Sequence, residues 1–147
     1  MSLRERLTDE MKGAMKSRDE LRLSAIRMVR GAVKNREIEQ KHEFDDREIG
    51  EVIASLVKQR RESIRLFRDG GRLDLVEKEE KELVVLLEFL PAQLEGAELE
   101  ELVLKAIKES GAVGIKDMGK VMKVVAPLTA GRADGKAVAE AVRAKLS

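Results

Sequence analysis

Apolar residues recur at every third or fourth position through the first ninety residues, and no segment alternates as a strand does. The spacing predicts four long helices, with N-caps at Asp19 and Asp45 and stops at Gly70 and Pro91. The first predicted stripe is Leu3, Leu7, Met11 and Met15. The fourth is Val76, Leu83, Val84, Leu87 and Leu90.

Beyond Pro91 the elements become short and are separated by glycines. Their stripes predict three more helices, one over residues 99–107, one from Met118 that stops at Pro127, and one that follows Asp134 as N-cap. The predicted fold is therefore all-α and multihelical. A four-helix N-terminal domain at residues 1–92 precedes a three-helix tail domain at residues 97–147.

The composition argues against several functional classes of protein. Hydrophobic residues make up 43% of the 147 residues, which is enough for a core, and charged residues make up 39% against about 25% in an average domain. The chain has no cysteine and one histidine, which argues against disulfide scaffolds, thiol enzymes and zinc fingers. We expect no metal and no small-molecule cofactor.

The N-terminus is charged from its fourth residue, and no apolar run approaches the roughly 20 residues of a membrane span. These features predict a soluble cytoplasmic protein with no membrane partner.

Charge is unevenly distributed although the net charge is only +1. Residues 71–95 carry 3 basic and 7 acidic side chains, whereas residues 111–147 carry 7 basic and 3 acidic ones. A basic tail favours contact with phosphates. With three phenylalanines and no Trp or Tyr, such contact would not use base stacking.

Basic side chains at helical spacing form two candidate surfaces. For each of them a solvated helix face is the alternative interpretation. The tail candidates are Lys116, Lys120, Lys123, Arg132, Lys136 and Arg143. The secondary basic face comprises Arg27, Arg30, Lys34, Lys58, Arg61 and Arg65. The helix that opens after residue 134 also offers free backbone N–H groups, although an Asp134 cap is expected to occupy part of that site.

Candidate catalytic groups are few, and we predict no catalytic residue. His42 lies between charged neighbours and is interpreted as an exposed connector histidine. Residues 114–120 match G-x-x-x-x-G-K, but Val121 replaces the magnesium-binding Ser or Thr and no strand precedes the motif. Its glycines are interpreted as serving a helix start and a close helix crossing.

Two charged residues lie inside predicted apolar stripes, Arg60 on the third helix and Glu80 on the fourth. Each is ten residues from Gly70, so an antiparallel hairpin would bring them to the same level. We predict a structural ion pair between them, with Ser63 as a further member.

Six stretches of the chain are familiar in combination. They are Leu23–Val29, Lys58–Ser63, Arg72–Glu79, Phe89–Leu94, Asp117–Met122 and Gly131–Gly135. Taken together they resemble the YqeY family of small bacterial proteins over essentially the whole chain. The tail also resembles the C-terminal, tRNA-holding domain of the amidotransferase subunit GatB, which is similar to domains appended to some glutaminyl-tRNA synthetases.

The resemblance implies an all-helical fold in two parts and a tail that contacts tRNA through shape and backbone. The tail motifs fall on Gly119, Lys120, Gly131, Arg132, Asp134 and Gly135. Asp134–Gly135 stands where the amidotransferase tail commonly has Asn-Pro, which changes the phosphate contact expected there.

The function expected is that of a tRNA-binding accessory protein, with tRNA and an aminoacyl-tRNA synthetase or amidotransferase as partners. The alternative is a helical adaptor that docks on a tRNA-handling enzyme without touching RNA. Carbon–nitrogen ligase activity with glutamine as amide donor is a third hypothesis. The residues do not support it, because the amidotransferase's catalytic machinery lies outside the shared region.

Overall fold

A computed structural model describes residues 2–94 and 96–147 and confirms the all-α class, since these residues form seven α-helices and no strand. The helices are α1 (Leu3–Ser17), α2 (Glu20–Gln40), α3 (Asp46–Asp69), α4 (Leu73–Leu87), α5 (Gly96–Ser110), α6 (Met118–Thr129) and α7 (Gly135–Leu146). A short 3₁₀ turn (Ile115–Asp117) precedes α6. Contacts divide the chain into two units, which separate between Leu90 and Pro91.

The predicted helix starts of α2 and α3 are confirmed. The Asp19 side chain accepts a hydrogen bond from the backbone N–H of Arg22 at 3.1 Å. At α3, Asp45 and Glu48 exchange side-chain and backbone hydrogen bonds of 2.9 and 3.2 Å, a reciprocal capping box. The turn after α3 needs Gly71, whose φ of +75° is strained for any residue with a side chain.

Two predicted helix stops are displaced. α4 ends at Leu87, before Pro91, whereas α6 continues through Pro127 to Thr129. Pro127 removes only one backbone donor from the last turn of α6. The buried hydroxyl of Thr129 donates to the carbonyl of Val125 at 3.1 Å and anchors that turn.

The core of the first unit is mostly aliphatic, includes Phe44 and Phe89, and draws on all four helices. Ile26, Val29, Val52, Ile53 and Leu86 are fully buried there. Full burial of each such side chain contributes about 1.5–3 kcal/mol to folding.

The partner predicted for Arg60 is wrong. Its guanidinium lies in the seam between α3 and α4, where it pairs with Glu79 and, at 2.8 Å, with Glu82. A third contact joins Arg60 to the sulfur of Met28 on α2 at 2.9 Å. Glu80 instead pairs with Arg68 at 2.7 Å on the exposed side of the hairpin.

The rotation of α4 about its axis explains this correction. Successive helical residues are turned by about 100°, and the predicted stripe placed Val84 on the buried face. The structure exposes 58% of Val84 and buries Val85 and Leu86. The buried face is therefore turned by about one residue, which brings Glu79 and Glu82 inward and leaves Glu80 outside.

A second charged network joins α1, α2 and the connection to α3. The carboxylate of Glu37 pairs with Arg4 and accepts a hydrogen bond from the backbone N–H of Phe44 at 2.7 Å. Arg4 also donates to the Phe44 carbonyl at 3.2 Å. The Phe44 N–H, and after it Arg4, hold the pKa of the Glu37 carboxyl below its ordinary value.

The second unit has its own smaller core. Buried valines and one alanine from α5, α6 and α7 pack together there. They are Val103, Ala106, Val121, Val125, Val138 and Val142. None of them is aromatic, and larger apolar side chains such as Leu99, Ile107 and Met118 pack around them.

Replacing Arg60 with Ala tests whether its ion pairs in the α3–α4 seam stabilise the first unit. We expect Arg60→Ala to lower the free energy of unfolding of the first unit by roughly 3 kcal/mol, because Glu82 would stay buried without its cation. Arg68→Ala removes the cation of an exposed pair and is expected to cost less than about 1 kcal/mol. Urea denaturation followed by circular dichroism measures both. Equal losses in the two variants would contradict a stabilising seam.

The lowered pKa of Glu37 predicts that the free energy of unfolding depends on pH. Its contribution is present above the ordinary carboxyl pKa of about 4.5 and is lost as pH falls through the lower pKa of the folded state. The unfolding free energies of the wild type and Glu37→Gln should therefore differ most near neutral pH and converge in acid. Glu39→Gln, on the exposed surface of α2, is the matched control. A difference that grows in acid would refute the assignment.

Candidate nucleic-acid interface

The clearest basic surface of the tail is a lysine stripe, which we define as Lys116, Lys120 and Lys123. All three side chains are exposed, and they project from one face of the 3₁₀ turn and α6 over about 10 Å. Asp117 lies 3.9 Å from Lys120 but is also engaged by the backbone N–H of Val113 at 3.0 Å. Lys116 and Lys123 form no ion pair within the described residues, so the stripe keeps a local positive charge.

The stripe on α7 is weaker. Lys136 and Arg143 are exposed and share a helix face, as predicted from their spacing. Glu140 lies between them on the same face and is also exposed. This carboxylate reduces the attraction of α7 for phosphate, and the predicted α7 stripe therefore ranks below the one on α6.

Arg132 has structural contacts that were not foreseen from its place in the tail motif. It is half-buried, and its Nε donates to the carbonyl of Ala92 at 3.2 Å. Its own carbonyl accepts from the backbone N–H of Leu94 at 2.8 Å. Gln93 adds a side-chain hydrogen bond to the carbonyl of Gly131 at 2.8 Å. These bonds fasten residues 92–94 to the loop before α7.

Sequence reasoning missed the part played by Gln93. Nothing in the local pattern marks it, because its partner lies 38 residues away in the chain. Only the family resemblance includes Gln93, as a member of the stretch Phe89–Leu94.

The start of α7 differs from the prediction. Asp134 is the N-cap, but its side chain makes no capping hydrogen bond, so the expected occupation of this site by the carboxylate is wrong. The Asp134 backbone carbonyl still accepts from Val138 at 3.0 Å. Among the described residues no side chain caps the first amides of α7, and the carboxylate nearby disfavours an anion.

The three glycines of the tail motifs play different parts. Gly131 has φ +72°, which explains why a glycine stands in this loop. Gly135 is the exposed first residue of α7. Gly119 lies exposed in α6 with open space where a Cβ would be, so the predicted close helix crossing at this residue is wrong.

The motif at residues 114–120 has no phosphate-loop geometry. It runs from an extended Gly114 through the 3₁₀ turn into α6, and no strand occurs among the described residues. Within those residues, no group of three His, Cys, Asp or Glu side chains is placed to hold a metal ion.

His42 is exposed and forms no hydrogen bond with a candidate catalytic group in the described part of the chain. Its Nε2 lies 2.6 Å from the carboxylate of Glu48, and its Nδ1 lies 3.3 Å from the carbonyl of Gln40. The hydrogen bond to Glu48 is the main cause that raises the pKa of the imidazole. No described hydroxyl contacts the ring, so the pair belongs to the capping region of α3.

The structure divides the secondary basic face. Arg27, Arg30 and Lys34 are exposed and line one groove between α1 and α2. The other three predicted members lie on α3 and take no part in that groove. They are Lys58, Arg61 and Arg65, of which Arg65 pairs with Glu62 at 2.8 Å.

The chain is similar to the members of a known protein family. The family model described as Yqey-like protein matches residues 4–146 of the chain. The match covers both units.

Several curated relatives bear the name Altered inheritance of mitochondria protein 41, mitochondrial. The one from Kluyveromyces lactis is 38% identical over 111 residues, which are 71% of this chain and 60% of that protein. The one from Eremothecium gossypii is 36% identical over 101 residues, 68% of this chain and 55% of that protein. The chain thus spans little more than half the length of these relatives.

The expected cytoplasmic location is contradicted by these relatives, since each is named as a mitochondrial protein. The prediction rests on the charged N-terminus and the lack of a long apolar run, and these features do not decide the compartment. No helix in the described residues is long and apolar enough to cross a membrane.

The variant Arg132→Ala tests whether the Arg132 side chain holds residues 92–94 in place or serves only as a ligand contact. We expect faster amide hydrogen exchange at Leu94 and a loss of about 1 kcal/mol in the stability of the tail, because one hydrogen bond to Ala92 disappears. Arg143→Ala, on the exposed face of α7, should leave both unchanged. Unaltered Leu94 protection in the Arg132 variant would show that its side chain does not hold this segment.

Proposed function

The chain belongs to the YqeY family, and from that premise we propose that it is a tRNA-binding accessory protein whose tail holds RNA by phosphate backbone and shape. The observation that carries the proposal is the exposed lysine stripe of Lys116, Lys120 and Lys123. The resemblance of the tail to the tRNA-holding domain of the amidotransferase supports the same ligand. An aminoacyl-tRNA synthetase or an amidotransferase is the proposed protein partner.

The aromatic residues favour backbone contact over base recognition. Phe44 and Phe89 are buried in the first unit, and Phe67 is half-buried. No described side chain of the tail is aromatic, so RNA bases have no ring on which to stack. Lysines at one-turn spacing instead present point charges to successive phosphates, a sequence-independent mode of binding.

We also propose that the two units are domains, a four-helix N-terminal domain and a three-helix tail domain. Each unit has its own hydrophobic cluster, with α1–α4 around one and α5–α7 around the other. Under this proposal the RNA-binding surface lies in the tail domain.

Removing the three charges of the stripe tests the proposal. Binding of bulk tRNA is measured by fluorescence anisotropy between about 50 and about 200 mM salt. The triple variant Lys116→Gln, Lys120→Gln, Lys123→Gln should bind more weakly, and the slope of log affinity against log salt should fall by roughly 2 to 3, one step per lost phosphate contact.

The matched control removes three exposed lysines of the same unit that lie off the stripe, Lys105, Lys108 and Lys145. Its affinity should fall much less, because only the general charge changes. Absence of binding at low salt, binding indifferent to salt, or an equal loss in the control would each overturn the phosphate-contact mechanism.

A further inference from the structure

The first unit contains a groove of about 770 Å³ between α1 and α2, which is in the size range of ligand-binding clefts. Its floor is apolar. Leu7, Val33 and Ile49 are buried at its base, and Met11 and Met15 lie nearer the surface, with 51% of Met15 exposed. Methionine side chains adapt to irregular apolar partners, which suits a binding floor.

The rim of the groove is positively charged. Arg27, Arg30 and Lys34 are exposed along α2 and form no ion pair within the described residues. The guanidinium of Arg30 contacts the sulfur of Met11 and so lies beside the apolar floor. The carboxylate at the end of the groove, Glu37, is already engaged by Arg4 and the Phe44 backbone.

The spacing of these cations constrains the ligand. They occur at intervals of three and four residues, one per helical turn, over about 10 Å of α2. The groove itself extends along α1 from Arg4 to Met15, or roughly 16 Å. A ligand that satisfies both features is elongated, apolar on one side, and carries about one negative charge per turn.

We infer that this groove binds an acidic amphipathic helix of a partner protein. Its apolar face would cover the methionines and Leu7, and its carboxylates would meet Arg27, Arg30 and Lys34. Helices seated in grooves by apolar anchors at helical spacing are a common mode of recognition, and complementary charge sets orientation and partner choice. This site is distinct from the proposed RNA contact, which lies in the tail.

Two features favour a helix over an RNA strand. A phosphate backbone offers no apolar surface to cover Met11 and Met15, which an RNA would leave exposed to water. The groove also has room at Gly31, where an added Cβ would meet nothing within 4 Å. A side chain of the partner is able to approach the α2 backbone closely at that glycine.

The test uses a synthetic probe and the full chain. The probe is a fluorescent helical peptide of about 14 residues, or four turns, with leucines on one face and glutamates on its flanks. A second peptide has every glutamate replaced by lysine. Anisotropy should show saturable binding of the acidic peptide and affinity lower by at least about tenfold for the basic one.

Gly31→Leu blocks the groove without removing any charge. Leucine is a better helix former than glycine, and the open space at this position predicts that the fold persists. We expect acidic-peptide affinity to fall by about tenfold or more. Gly13→Leu makes the same change at an exposed, open position of α1 away from the groove lining, and its affinity should stay unchanged.

The charge contribution is tested separately. The variant Arg27→Gln, Arg30→Gln, Lys34→Gln should also lose about tenfold in affinity, since it removes three exposed charge contacts with the peptide. Its control neutralises Lys12, Lys16 and Lys78, three exposed lysines that do not line the groove. Thermal melts followed by circular dichroism confirm that each variant is folded.

The outcomes are decisive. Loss of acidic-peptide binding in both groove variants, with both controls unaffected, supports the inference. No binding by the wild type, or a loss confined to the charge variant, overturns the docking site. If tRNA affinity falls with Gly31→Leu while no peptide binds, the groove is an RNA surface and the inference is wrong. None of these results decides whether the lysine stripe of the tail binds RNA.

Discussion

The burial of Arg60 is the constraint on which the four-helix unit depends. A guanidinium stays charged in proteins, so a position inside the α3–α4 seam is tolerable only with carboxylates beside it. Glu79 and Glu82 supply them from α4, and the sulfur of Met28 adds a contact from α2. The rotation of α4 that places Val85 and Leu86 in the core also turns both glutamates inward.

The same constraint shapes the surface. Glu79 and Glu82 of α4 form ion pairs with Arg60 in the seam, and Glu37 pairs with Arg4 and accepts from the Phe44 N–H. These carboxylates are therefore not free to neutralise cations elsewhere. The exposed cations of α2 are left without acidic partners in the described residues. A net charge of +1 therefore conceals local fields, because these three carboxylates are engaged by other groups, whereas Arg27, Arg30 and Lys34 form no ion pair among the described residues.

Local signals made much of the fold predictable, and tertiary contacts made the rest unpredictable. The caps at Asp19 and Asp45 and the glycine turn after α3 involve residues within a few positions of each other. The partner of Arg60 depends on how neighbouring helices rotate α4, which the stripe alone misplaced by one residue. At the candidate site, spacing found the exposed lysines of α6, but Arg132 is held by Ala92, forty residues away.

The two proposed surfaces differ in chemistry, and the difference suggests how they would work together. Lysines without aromatic neighbours attract any phosphate backbone, so the tail by itself discriminates poorly between RNAs. The α1–α2 groove combines an apolar floor with charges at fixed spacing, which is the kind of surface that selects one partner from many. Under the proposed function, the specificity that the tail lacks would come from the protein that docks on the first unit. RNA choice would then be set by the partner enzyme, and this chain would add affinity through a second point of contact.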